Sequence, residues 1–188
     1  MTLRRFVSVS CATLGIWFAM SAAWIPVKAE VAQVLLHRAW GQAQRGNATP
    51  KPWPWADTWP VGRLRAPRYG VDEIVLAGAS GSSLAFAPGH VDGTALPGHC
   101  GNCVIGGHRD TQFRFLSRLQ RGDRLELEGA DGALQHFVVR DTQILHRNDT
   151  FVLVEGEPQL TLITCYPFDA VVPGGPLRFV VWAELEEG

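Results

Sequence analysis

The stretch Thr161–Tyr166, Thr-Leu-Ile-Thr-Cys-Tyr, constrains this chain more than any other. It is β-branched and apolar, the composition that suits a strand, and it delivers a cysteine to the strand's end. Pro167, Asp169, Pro173, Gly174, Gly175 and Pro176 follow at once. Such residues stop strands and shape loops. A second strand-like run, Leu177–Glu184, then opens with Arg178. A thiol at a strand end beside a loop is placed as a nucleophile would be. Most free cysteines are instead small buried hydrophobes, so a catalytic reading of Cys165 needs a histidine from elsewhere in the chain.

The same rhythm of short runs and turns fills the rest of the chain from residue 62. Arg63-Leu64-Arg65-Ala66 alternates inside a first strand, Gly62–Arg68, and Glu73–Ala77 is a short apolar second. Ser82–Ala87 reads as a helical turn and Cys103–Gly106 as a brief strand. Thr111–Leu119 places Phe113, Phe115, Leu116 and Leu119 at helical spacing. Arg124–Glu128 alternates, Ala130-Asp131-Gly132 signals a hairpin, and Leu134–Asp141 is the return strand. Ile144–His146 is expected as a separate short strand, followed by Gln159–Cys165 and Leu177–Glu184. Twenty glycines and twelve prolines punctuate the sequence. Many short strands with few helices predict a mainly β fold, a barrel or a sandwich.

The N-terminal part differs. Arg4 and Arg5 precede Phe6–Ile25, which holds no charged residue. As a helix this run spans about 30 Å, the thickness of a bilayer core. The arginines favour a cytoplasmic N-terminus, leaving the remainder outside. A cleaved signal peptide is the rival, but the run is longer than a usual signal core. After Pro26 a second helix is expected over Val27–Arg45. Asn47–Val61, rich in proline and tryptophan, is expected to be a stiff connector whose tryptophans dock on the domain. The expected organisation is a cytoplasmic tip and transmembrane anchor over 1–25, a juxtamembrane helix and connector over 26–61, and a catalytic β domain over 62–188. The net charge of −1 offers no reason for a nucleic-acid partner.

Of six histidines, His108 stands out. An apolar run ends just before it, Gly106-Gly107 precedes it, and Arg109-Asp110 follows. His136 and His146 sit on or beside strands, and His90 and His99 lie in Gly/Pro-rich loops. Arg178 opens an apolar strand, so its cation faces either solvent or something it stabilises. Cys100 and Cys103, in Cys-Gly-Asn-Cys, read as a local disulfide or two packed thiols. A βαβ setting for a redox motif is not seen, and for zinc, which would want a second ligand pair, His99 and His108 lie near but without a diagnostic spacing.

Thr161-Leu162-Ile163-Thr164-Cys165, Leu177-Arg178-Phe179-Val180-Val181 and Gly106-Gly107-His108-Arg109-Asp110 together resemble the sortases, membrane-anchored cysteine transpeptidases. The similarity extends over Gly62–Glu184 and includes Phe86-Ala87-Pro88-Gly89-His90. The anchor and the Trp/Pro connector are similar to the single-sortase type of Gram-negative bacteria. The resemblance implies a closed β-barrel of about eight strands with short helices. It implies Cys165 as nucleophile, His108 as general acid/base and Arg178 as stabiliser of substrate or oxyanion, with no cofactor and no metal. The implied partners are a protein with a C-terminal Leu-Pro-x-Thr-Gly-like sorting signal, an amine-bearing acceptor and the inner membrane. The catalytic domain would then lie in the periplasm.

Three other readings fit less well. L,D-transpeptidases also use Cys, His and Arg, but with the histidine just before the cysteine and the arginine close behind it. A serine hydrolase elbow at Gly78-Ala79-Ser80-Gly81-Ser82 lacks its final glycine. A non-catalytic, membrane-tethered peptide-binding domain leaves the three residues unexplained. Hydrolysis in place of transfer remains open as an alternative outcome of the same chemistry.

Overall fold

The computed structural model describes residues 3–149, 158–172 and 174–186. Helix α1 spans Leu3–Ala43. The strands are β1 (Pro60–Ala66), β2 (Val71–Ala77), β3 (Gly89–His90), β4 (Asn102–Gly107), β5 (Arg124–Gly129), β6 (Leu134–His146), β7 (Gln159–Cys165) and β8 (Leu177–Leu185). A short helix α2 (Gly81–Leu84) and 3-10 turns at Pro67–Tyr69 and Arg114–Arg118 complete the elements among the described residues. The strands close into one barrel in the order β1-β2-β3-β4-β7-β8-β6-β5. Pairs β2–β3 and β4–β7 are parallel, and the others antiparallel.

Alternation along the strands decides what is inside. Leu64 and Ala66 of β1, Leu125 and Leu127 of β5, Leu160 and Leu162 of β7, and Val181 and Ala183 of β8 share one core. Each is two residues from its fellow, the period that sends side chains to one face of a strand. Phe113, Phe115, Leu116 and Leu119 close one end of that core from the 3-10 turn and its flanks. The expected short helix is therefore a tighter 3-10 turn, Arg114–Arg118.

Two expectations are corrected. The chain does not break at Pro26, since α1 runs unbroken from Leu3 to Ala43. A proline there removes one backbone donor and crowds the carbonyl four residues earlier, and α1 continues through it because the turns on either side keep their bonds. Leu134–Asp141 and Ile144–His146 are not two strands. They form one long strand, β6, with a register shift between Val139 and Asp141. A bulge absorbs the extra residue and keeps both halves paired with β8. The two-residue strand β3 was not foreseen. It is held by Leu76 and Ala77 on one side and Ile105 and Gly106 on the other.

The second half of α1 docks on the outer face of β2. Trp40 and Ala43 bury against Ile74, and Leu36 against Leu76 and Ala87. Gln33 donates to the Phe86 carbonyl at 3.0 Å and Gln44 to the Glu128 carboxylate at 2.6 Å. Trp53 joins this contact, its ring 4.8 Å from Phe86 in an edge-on arrangement. The connector thus docks through Trp53, as expected, while Trp55 stays exposed. Among the described residues no helix is long and apolar enough to cross a membrane. The expected anchor Phe6–Ile25 falls partly outside them, because the side chains at 3–9, 19, 22, 23 and 25 are not described.

Candidate active site

Register brings the three singled-out residues to one rim of the barrel. Strand β7 ends at Cys165. Its parallel neighbour β4 pairs Gly107 with Thr164, so His108, the next residue, stands level with Cys165. On the other side, antiparallel β8 pairs Arg178 directly with Cys165. Neighbouring strands lie about 4.8 Å apart, so the histidine, thiol and guanidinium occupy three adjacent positions in a row. Leu160, Leu162, Val181 and Ala183 point into the core. Alternation therefore turns Cys165 and Arg178 to the outer face together.

Local packing fixes this row. Thr164 Oγ1 donates to the Gly107 carbonyl at 2.7 Å, a side-chain bond that ties β4 to β7 one residue short of the thiol. A Cβ at Gly107 would lie 2.7–2.8 Å from the Phe113 ring, closer than side chains tolerate, so only glycine lets Phe113 seal the barrel here. The chain then turns, and the Phe113 amide donates to the His108 carbonyl at 2.9 Å. Arg178 Nη1 donates to the carbonyls of Gly175 and Leu177 at 2.8 and 2.9 Å. Phe168 packs on Phe179 with ring centroids 5.2 Å apart, and Tyr166 stacks on Phe179. These contacts anchor the foot of the β7–β8 loop.

The side chains of Cys165 and His108 make no hydrogen bond among the described residues; Cys165 is half-buried and His108 exposed. Asp110 and Asp169 are exposed. The other thiols are free as well. Cys103 is buried in the core, and burial pushes its thiol up to about 12. Cys100 is exposed, so the close pair is neither a disulfide nor two packed thiols. His90 is a structural histidine, with Nε2 2.9 Å from the Ala95 carbonyl and 3.0 Å from Thr94 Oγ1.

A groove of 690 Å³ lies between β2 and the 111–118 segment. Glu73 lines it, and burial pushes this carboxyl up to about 7, with the neighbouring Asp72 carboxylate adding to the shift. An apolar groove of 540 Å³ lies between α1 and the connector. Neither is lined by Cys165, His108 or Arg178. Among the described residues no three His, Cys, Asp or Glu side chains gather as a metal cluster would.

Sequence reasoning missed Arg109. Its side chain is only 8% exposed, and Nη2 donates to the Ala170 and Val172 carbonyls at 2.8 and 3.1 Å. The adjacent glycines and histidine marked the position as unusual. No local pattern says which loop, some sixty residues on, a side chain will meet.

Known proteins of similar sequence and shape now bear on the site. The sortase domain family matches residues 64–186. "Sortase D" of Bacillus subtilis (strain 168) is 30% identical over 125 residues, covering 65% of this chain and 62% of that protein. The chain thus spans less than two thirds of the length of this curated relative. Among solved structures, a Clostridium perfringens sortase D5 transpeptidase superposes with a TM-score of 0.69 at 21% identity, covering 84% of this chain and 99% of the other. Sortase A from Corynebacterium diphtheriae gives 0.62 at 25% identity, with 71% and 63% covered.

Proposed function

This chain belongs to the sortase family, and we propose that it works as a membrane-anchored cysteine transpeptidase acting on proteins with a C-terminal sorting signal. The observation that carries the proposal is the level row of His108, Cys165 and Arg178 across β4, β7 and β8. In the proposed cycle the Cys165 thiolate attacks the carbonyl carbon of the scissile peptide bond. That bond is the Thr–Gly bond of a Leu-Pro-x-Thr-Gly-like signal. Arg178 donates to the substrate or to the developing oxyanion, where one preorganised donor is worth about 2.7–4 kcal/mol. His108 gives a proton to the leaving amine, and the acyl group remains on sulfur as a thioester. An incoming amine then attacks the thioester, His108 takes its proton, and the thiolate is released. If water replaces the amine the product is the free acid.

The location is part of the same proposal. The described apolar side chains Leu14, Ile16, Trp17, Phe18, Met20 and Trp24 of α1 are 59–71% exposed. A soluble helix rarely leaves so continuous an apolar surface in water. A bilayer would cover it, with Arg4 and Arg5 on the cytoplasmic side and the barrel in the periplasm of a Gram-negative inner membrane. Because Leu36 and Trp40 pack on β2, the full chain in detergent is the right material for a test. Incubated with a sorting-signal peptide, it is expected to gain the acyl mass at Cys165, seen by mass spectrometry of the quenched protein. Added amines should divert product from acid to amide. An adduct at Cys100 in place of Cys165 would overturn the assignment.

A further inference from the structure

We propose that Arg109 is a positioning residue for this site: its buried guanidinium latches the crest of the β7–β8 loop and so presents Val171 and Val172 to the peptide substrate. The proposal rests on the transpeptidase reading above and extends it.

Arg109 directly follows His108, yet the two side chains part company. His108 is exposed while Arg109 is 8% exposed. A cation is costly to bury without partners. The partners here are the backbone carbonyls of Ala170 and Val172, reached by Nη2 across a sequence gap of 61 and 63 residues. Among the described residues no carboxylate pairs with it, and Nη1 is buried with no partner. A guanidinium used only for stability would ordinarily be matched by a carboxylate or left in water. This one is spent on the shape of a loop.

The loop's own geometry says what that shape displays. Its foot is fixed separately by the Phe168–Phe179 contact and by the bond from the Tyr166 amide to the Leu177 carbonyl. Only the crest depends on Arg109. With the carbonyls of 170 and 172 drawn towards the barrel, the side chains of Val171 and Val172 are 97% and 76% exposed. Two adjacent bare valines on a loop that begins at the proposed nucleophile have no folding role. They form an apolar contact for a peptide lying along the rim. Removing the latch leaves the thiol, the histidine and Arg178 in place and loosens the wall beside them.

The test uses the full chain with Arg109→Gln, Arg109→Ala and the exposed pair Val171→Ser/Val172→Ser, assayed for acyl transfer from a sorting-signal peptide. The Arg109 variants are expected to lose about tenfold or more in kcat/KM, mainly through KM, since charge-assisted hydrogen bonds of this kind are strong. Alkylation of Cys165 by iodoacetamide, and its pH profile, should stay as in the wild type. Methylguanidine should restore part of the activity of Arg109→Ala. The valine pair, which cannot unfold the barrel, should also raise KM, and its effect combined with Arg109→Gln should be less than additive. Wild-type KM in Arg109→Gln, no rescue by methylguanidine, or additive effects would each overturn the latch. If the Arg109 variants do not fold, a wild-type KM in the valine pair overturns it alone. Absence of any thioester in the wild type would instead sink the transpeptidase reading.

Discussion

The parallel pair β4–β7 carries a cysteine near each end, and the two have opposite fates. Cys103 lies at the start of β4, opposite Leu160, with its side chain in the core. Cys165 closes β7 at the rim, opposite Arg178 and level with His108. Burial alone raises the first thiol to about 12, where a thiolate is absent at neutral pH. The second is half-buried on the outer face. The residue type is the same and the two strands are paired neighbours. Strand parity and distance from the rim separate an inert thiol from a candidate nucleophile.

The largest expected effect breaks the rim end. Cys165→Ala should lower thioester formation and turnover by at least ~10⁴-fold with the circular dichroism spectrum unchanged. His108→Ala should follow at ~10²–10⁴-fold. Full activity in either variant, measured by peptide cleavage, would end the proposed roles. Arg178→Ala comes next, with an expected loss of about 10²–10³-fold in kcat. Arg178→Lys is expected to recover only part of that, because Nη1 already serves the Gly175 and Leu177 carbonyls and a lysine has no second nitrogen left for the substrate.

The core end should answer in stability. Leu162→Ala, between the two cysteines' levels, is expected to cost about 2–5 kcal/mol in urea unfolding. Glu73 extends the contrast from thiols to carboxyls. Its folded pKa of about 7 lies above the unfolded value of 4.5. The folded state therefore binds more protons than the unfolded state between these values. Its contribution is fully favourable below 4.5 and is lost as pH rises through 7, by up to about 3 kcal/mol. Glu73→Gln should flatten the pH dependence of stability over that window, as thermal melts would show. The smallest effect is expected from Cys103→Ala, about 1–2 kcal/mol of stability with turnover within about twofold. An equal loss of activity there would erase the contrast between the two thiols.

Much of this was legible in the chain itself. Alternation in Arg63-Leu64-Arg65-Ala66 and in Arg124–Glu128 placed Leu64, Leu125 and Leu127 inside, where they are. Arg178 was expected to face either solvent or something it stabilises, and the register sets it directly opposite Cys165. Other features had no local signal. Strand β3 has two residues, too few for a period to show. The bulge at Val139/Asp141 hid the continuity of β6 because it breaks the alternation that marks a strand. The reach of Arg109 to Ala170 and Val172 depends on β4 and β7 lying side by side.

By itself the sequence determined most of the longer strands, the faces their residues take, and the residue types that converge on a thiol chemistry. It did so because side-chain direction in a strand repeats every two residues and can be read locally. Only the tertiary structure decided that β4 lies parallel to β7, that His108 therefore stands beside Cys165, and that Arg109 holds the loop beyond. Backbone hydrogen bonds pair strands without regard to residue identity, so the register between segments some sixty residues apart is set by the closing of the whole barrel.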